Sequence, residues 1–214
     1  MRVVFTALFL LAVAGTCRMS ADTFDVFGGS AYNFRTPVTV YQPGATAMVT
    51  ANWKTKGTGG AYMAWRFSFW SGNHAIEFEH IHHKLTLMNP PDSLEHMEIS
   101  HGYNMFFVNY AWRDGGMVYR TGAGIVVAHP ESVVGGVKWP ESGGIFNTGY
   151  YFAGFAGQLA VEERLKVSDD FSLAAEGAFT AADARVPIPG GSAHVPNIAL
   201  HGLLGVSIGQ QNDE

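Results

Sequence analysis

Residues 76–112, IEFEHIHHKLTLMNPPDSLEHMEISHGYNMFFVNYAW, decide the fold. Two runs rich in aromatic and β-branched residues flank the segment NPPDS at 89–93. Proline fixes φ and removes a backbone donor, and Asn, Asp and Ser favour turns, so this segment interrupts the β pattern. The stretch therefore predicts one long β-hairpin with strands over 75–87 and 96–112.

Further β-forming segments lie on both sides of this hairpin, at 22–34, 61–70, 117–129, 150–167, 171–186 and 195–209. Short turns alternate with longer loops: turns at 71–73, 113–116 and 168–170, loops at 88–95, 130–149 and 187–194. Outer-membrane barrels have short periplasmic turns and longer outer loops. The pattern predicts an all-β protein, an eight-stranded antiparallel transmembrane β-barrel. Residues 35–60 are expected to form an extended hairpin beyond the membrane.

The two faces of the predicted strands differ in polarity. In the strand over 171–186, Leu173 and Phe179 share one face, whereas Glu176 and Thr180 share the other. Lipid outside and a packed lumen inside require this arrangement, whereas a soluble lipocalin-like barrel, the competing prediction, would be apolar inside. The polar residues expected to fill the lumen are Arg120, Glu162, Glu176 and His201.

Composition is consistent with a membrane barrel. The 214 residues carry 13 Lys+Arg against 18 Asp+Glu, a formal charge of −5, and only 14% are charged. The sequence has no basic stripe, so nucleic acid is not an expected partner. We expect a monomer in the bacterial outer membrane, with the lipid of that membrane, lipopolysaccharide with its lipid A anchor, as the partner.

The N-terminal residues predict a cleaved secretory signal peptide over 1–21. Arg2 is followed by an apolar run over 3–14, which is shorter than a membrane-spanning helix. Cleavage after Ala14 or Ala21 is compatible with the small residues there, and Cys17 leaves a lipid-anchored form as an alternative. The barrel is expected to occupy 22–214.

Polar residues concentrate in the central hairpin. If its loop is centred near Asp92, Lys84 lies opposite Ser100, His82 opposite Gly102, and Thr86 opposite Glu98. Period-two alternation then predicts one polar cluster in the outer half of the lumen, with His83 and His101 pointing the other way. Its expected members are His80, His82, Lys84, Glu98, Ser100, Gly102 and Asn104.

Three interpretations of this cluster remain open. His80, His82 and Glu98 offer two imidazoles and a carboxylate, a ligand set for a divalent metal such as Zn²⁺ or non-haem Fe²⁺. Alternatively, Ser100 is a nucleophile for ester hydrolysis, with His82 as base, Glu98 as its orienting group and Asn104 as oxyanion donor. The third interpretation is a buried network in which Lys84 and Glu98 pair to stabilise the barrel.

Several of these segments also resemble a known family. The segments are DVFGGSAYNF at 25–34, HHKLTL at 82–87, EISHGYN at 98–104, YRTGAGIVVAHPE at 119–131 and NIALHGLLGVSI at 197–208. Together they resemble a family of small bacterial outer-membrane β-barrel proteins, some of which are described as lipid A oxidase-like.

The resemblance covers most of the chain after the signal peptide, and it implies the barrel fold and an oxidative action on lipid A. The positions that match the family pattern are His82, Lys84, Glu98, Gly102 and Asn104, whereas His101 stands where other members carry Asp. The segment HPES at 129–132 is expected to be the exit of a strand into the longest loop.

Overall fold

The computed structural model describes residues 23–55 and 62–209, which are mostly β-strand. The predicted signal peptide over 1–21, residue 22, residues 56–61 and residues 210–214 lie outside the described residues. The strands are β1 (Thr23–Asn33), β2 (Thr36–Gln42), β3 (Ala45–Ala51), β4 (Trp53–Thr55), β5 (Met63–Ser71), β6 (His74–Leu87), β7 (His96–Asp114), β8 (Met117–Ala128), β9 (Glu131–Val134), β10 (Val137–Lys138), β11 (Tyr151–Ser168), β12 (Phe171–Ile188), β13 (Gly191–His194) and β14 (Asn197–Gly209). A short 3-10 helix spans Ile145–Asn147. No helix among the described residues is long and apolar enough to cross a membrane.

Eight of these strands close into an antiparallel ring in the order β1, β5, β6, β7, β8, β11, β12 and β14. Closure occurs at β1, where Thr23 lies opposite Ser68 of β5 on one side and Gly209 of β14 on the other. Two-residue turns join β5 to β6, β7 to β8 and β11 to β12 at one end of the ring. The fold is therefore the predicted antiparallel barrel, and the opposite end, with its longer connections, is the outer end.

The outer surface of the wall is apolar around the barrel. Large exposed apolar side chains point away from the lumen on each strand of the ring, among them Val26, Met63, Ile76, Phe78, Val108, Ile125, Phe155, Leu159, Leu173, Phe179, Leu200, Leu204 and Ile208. Near the short turns, Trp112 stacks between Tyr110 and Tyr119 at ring-centroid distances of 6.1 and 5.6 Å. An apolar belt with aromatic residues at its edge is the surface that lipid requires.

The half of the lumen nearer the short turns holds a buried ion network. Arg66 lies 2.5 Å from Glu176, 2.8 Å from Glu162 and 3.0 Å from Glu79. Arg120 contacts Glu176 at 2.5 Å and Glu162 at 3.2 Å. Buried charges are stable only when paired, so these contacts fill the lumen with a polar plug, as the sequence predicted.

The outer half of the lumen is mainly apolar and is covered by the extension strands. Ile81, Leu85, Ile99 and Tyr103 point into it and are fully buried. The β2–β3 hairpin pairs with β13, which itself pairs with the end of β12. Strand β4 pairs with the outer end of β6, and β9 with that of β7. Residues 35–55 thus form the extension beyond the barrel that the sequence predicted.

Candidate functional site

His80, His82 and Lys84 lie on the outer face of the wall and not in the lumen, which corrects the sequence prediction. The register between β6 and β7 is continuous from His74 to His83, so the alternation set by the lumen-facing Glu77 and Glu79 continues unchanged. His83, expected outside, is fully buried in the lumen. His80, His82 and Lys84 therefore lie on the face of β6 that points away from the lumen, opposite to Glu77 and Glu79.

A β-bulge displaces the register just beyond His83. Thr86 lies opposite Glu98, as predicted, but His82 lies opposite Asn104 and not Gly102. Gly102 has φ +118°, and a Cβ there would come within 2.5 Å of Asn104 Oδ1 and 2.7 Å of His82 Cε1. Only glycine accommodates both this backbone conformation and the close approach.

Asn104 forms hydrogen bonds with the imidazoles of His80 and His82, which both lie on β6. Its Oδ1 accepts hydrogen bonds from His80 Nε2 at 3.0 Å and from His82 Nδ1 at 2.7 Å. The His80 ring stacks on Phe106 with centroids 4.5 Å apart. This donor assignment leaves the lone pair of His82 Nε2 available to a ligand.

Glu98 does not join His80 and His82, so the predicted metal set is not assembled as one site. Its partner Thr86 is four residues along β6 from His82, about 13 Å at the rise of a strand. Among the described residues, His80, His82 and Glu98 do not form a group with ligand atoms within 4.8 Å of one another, and their predicted role as metal ligands stays a prediction. The predicted catalytic set His82, Lys84, Glu98, Ser100 and Asn104 is divided in the same way, and the roles of its members stay predictions.

A different set of metal-ligating residues converges at the outer end of β7. His101 of β7, His129 after β8 and Glu131 of β9 each bring one ligand atom within 4.8 Å of the others. His101 Nδ1 lies 3.2 Å from Glu131 Oε1, and the two imidazole rings are 4.5 Å apart. We name these three residues the outer-wall cluster. They supply two imidazoles and a carboxylate, the ligand set that the sequence predicted from other residues.

Ser100 and Tyr150 surround this cluster. Ser100 Oγ donates to Glu131 Oε1 and lies 3.0 Å from His101 Nδ1. The Tyr150 hydroxyl donates to the His101 carbonyl at 3.0 Å, and its ring packs edge-on against His129. Gly149, with φ +78°, leaves room for the imidazole of His129, because a Cβ there would lie 2.4 Å from its Nε2.

The local environment favours the neutral form of His129 by lowering its pKa. Burial lowers the pKa of His129, and the neighbouring His101 lowers that pKa further, against the opposite influence of Glu131. Burial also raises the pKa of Tyr150, so its hydroxyl keeps its proton. A neutral imidazole offers a lone pair to a metal or an acid.

Gly102 links the outer-wall cluster to the β6 imidazoles. Its carbonyl accepts a hydrogen bond from the His129 backbone N–H at 3.2 Å and another from Asn104 Nδ2 at 3.3 Å. Residues directly opposite on neighbouring strands share a face, which puts Lys54, Thr86 and Glu98 in one row with Glu131 of the cluster. All these polar groups form one continuous surface outside the lumen.

This polar surface adjoins the apolar belt. A transverse row on the outer face consists of Trp65, His80, Phe106, Ile125 and Phe155. Five residues of β7 separate Phe106 from His101, about 17 Å along the strand. The outer wall thus changes from apolar side chains to side chains of metal-ligating types over about 17 Å along β7.

The sequence does not predict the outer-wall cluster, for identifiable reasons. Its pattern places His129 and Glu131 at a loop exit and directs His101 away from the site. The pairing of β9 with β7, which brings Glu131 opposite Glu98, has no signature beyond the four-residue run ESVV. The available signal was the spacing His-Pro-Glu at a strand end next to a His on the preceding strand.

Comparison with known proteins supports the fold. No protein-family model matches the sequence, and no curated protein is detectably similar to it. Among solved structures, the outer membrane protein AlkL, determined in lipid bilayers, is similar with a TM-score of 0.52 and 10% identity, over 91% of this chain and 93% of AlkL. OprG from Pseudomonas aeruginosa matches with a TM-score of 0.47 and 10% identity, over 88% and 95% of the two chains. Ail of Yersinia pestis matches with a TM-score of 0.39 and 8% identity, over 86% and 99%.

The closed barrel, its apolar belt and the likeness to AlkL identify an outer-membrane β-barrel fold. The protein is located in the bacterial outer membrane. Its candidate site lies on the side of the wall that faces away from the lumen, at the outer end.

Proposed function

We propose that the protein acts on lipid A from the outside of its barrel, with oxidation as the reaction class. The observation that carries the proposal is the position of the outer-wall cluster, which lies outside the lumen and next to the apolar belt. At the outer end of an outer-membrane barrel, the adjacent lipid is lipopolysaccharide. Its acyl chains would contact the row at Phe106 while its headgroup meets the polar surface.

The lumen offers no comparable access. Its charged half is closed by salt bridges of Arg66 and Arg120, and its outer half is filled by apolar side chains. An eight-stranded barrel is just wide enough to be filled by its own side chains. A substrate would therefore approach through the membrane and not through the barrel.

Ester hydrolysis is the second candidate, because Ser100 contacts both His101 and Glu131. A serine triad needs one imidazole nitrogen to accept the serine proton and the other to be held by the acid. Here Ser100 and Glu131 both face Nδ1 of His101, and Ser100 donates directly to the carboxylate. This geometry argues against deacylation. A third candidate is a non-enzymatic structural or surface-interaction barrel.

Mass spectrometry of lipid A separates the three candidates. Lipid A would be isolated from a host with the protein, without it, and with the variants His129→Ala and His194→Ala. His194 is a matched control, because it also pairs with a carboxylate, Asp183, outside the cluster.

Oxidation predicts a gain of one oxygen atom's mass that requires the protein, is lost with His129→Ala and persists with His194→Ala. Loss of an acyl chain would overturn oxidation in favour of deacylation. An unchanged spectrum, with the protein shown to be folded in the outer membrane, would overturn both enzymatic candidates.

A further inference from the structure

The outer-wall cluster has the composition of a metal centre. His101, His129 and Glu131 come from three separate elements, yet their ligand atoms lie within 4.8 Å of one another. It is the one such group of His, Cys, Asp and Glu residues found within 23–55 and 62–209. Convergence of two imidazoles and a carboxylate suits borderline divalent ions such as Zn²⁺ and Fe²⁺.

A second carboxylate faces the cluster. Glu98 of β7 lies directly opposite Glu131 of β9, and directly opposite residues share one face with Cβ atoms about 5 Å apart. Glu98 is largely buried in this position. Glu98 lies 3.8 Å from His96 Nε2, and Glu131 lies 3.2 Å from His101 Nδ1, so carboxylates and imidazoles alternate along this edge.

His129 supplies an independent indication of a ligand. The side chain is 5% exposed, and its Nδ1 is buried without a hydrogen-bond partner among the described residues. A buried imidazole nitrogen that lacks a partner costs free energy. A metal ion is a partner that would satisfy it.

We propose that the outer-wall cluster binds one divalent transition-metal ion of the Zn²⁺ or Fe²⁺ class. Because the ligands lie on β7, β9 and the end of β8, the ion also fastens the β9–β10 hairpin to the barrel wall. The inference deepens the proposed function and rests on it for its purpose, but metal binding is measurable without any lipid.

Titration with Co²⁺, a spectroscopic substitute for both ions, tests the proposal. The protein would be purified without a polyhistidine tag, folded in detergent and stripped with a chelator. We expect one Co²⁺ per chain, with ligand-field absorption bands and competition by Zn²⁺.

Three variants remove one ligand each: His101→Ala, His129→Ala and Glu131→Gln. Each should weaken Co²⁺ binding by at least about 100-fold, beyond the roughly 10–100-fold typical of an outer-shell change. His101→Ala is the variant least able to disturb folding, because 59% of that side chain is exposed. His194→Ala should leave the affinity unchanged.

Absence of stoichiometric Co²⁺ binding would overturn the proposal, as would equal affinity in His101→Ala and the wild type. The two proposals fail separately. Stoichiometric binding with unmodified lipid A would retain the metal centre and overturn the proposed function. Oxidised lipid A without any bound ion would retain the proposed function and overturn the metal centre.

Discussion

At the residue scale, Gly102 lies between the outer-wall cluster and the imidazoles of His80 and His82, and it contacts both parts of the candidate site. Its positive φ, its lack of a side chain and its carbonyl each serve a different neighbour. The carbonyl accepts from the His129 backbone, and the missing Cβ leaves space for the amide of Asn104. This one position therefore couples the cluster on β7 and β9 to the imidazoles on β6.

Gly102→Ala should destabilise the barrel more than an alanine at another positive-φ glycine. A non-glycine residue in a sparsely populated backbone region costs about 1–3 kcal/mol, and here the new methyl group also meets Asn104 at 2.5 Å. The free energy of unfolding in urea, measured in lipid vesicles, gives the difference. Gly116→Ala is the control, because Gly116 has φ +86° and a Cβ there would meet nothing within 4 Å. Equal losses in the two variants would contradict the close-packing argument.

At the element scale, the sequence predicted the strands and their order better than their faces. The central hairpin, its pairing of Thr86 with Glu98 and the extension over 35–55 follow from turn residues and alternation, and all three are present. The predicted face of β6 was wrong, because the polarity of its histidines indicated lumen positions. Glu77 and Glu79 carry the stronger charge, and they occupy the lumen instead.

The outer-wall cluster depends on a β-bulge and on a strand pairing, and the alternation of polar and apolar residues predicts neither of them. A β-bulge between His83 and Leu85 changes which residues of β7 face β6. The pairing of β9 with β7 then brings Glu131 to Glu98 from a segment whose sequence is typical of a loop. Both features arise from tertiary pairing, which a single strand pattern does not encode.

Removal of the guanidinium of Arg66, which lies at the centre of the ion network, should strongly lower the free energy of unfolding of the barrel. Arg66 of β5 contacts carboxylates on β1, β6, β11 and β12. Arg66→Met would leave the buried Glu79 without its salt bridge and would remove one of the cations that face Asp25, Glu162 and Glu176, which keep Arg120 or Arg164, for a loss of about 3–5 kcal/mol. Electrophoretic heat-modifiability and urea unfolding report the loss. Arg185→Met, which removes a guanidinium that stacks on Tyr41 in the extension, is the matched control and should cost much less. Comparable unfolding of both variants would contradict the assigned role of the network.

At the scale of the whole molecule, the barrel separates two tasks. The lumen holds the ion network and an apolar core that stabilise the fold. The outer wall presents an apolar belt that ends in a polar, metal-ligating surface at the outer end. In this arrangement the residues of the candidate site lie outside the lumen, and the proposed substrate would reach them from the membrane.

The orientation of β6 tests this account most directly. His82 and His83 are adjacent and identical in type, but His82 lies on the outer face and His83 is buried in the lumen. Each would be replaced by cysteine in turn, with Cys17 as the one natural cysteine to remove, and labelled with a nitroxide in lipid vesicles. Collision with oxygen dissolved in the bilayer is then measured by electron paramagnetic resonance. The account predicts frequent collisions at position 82 and few at position 83. The opposite result would mean that His82 points into the lumen, and it would contradict a site on the outer face of the wall.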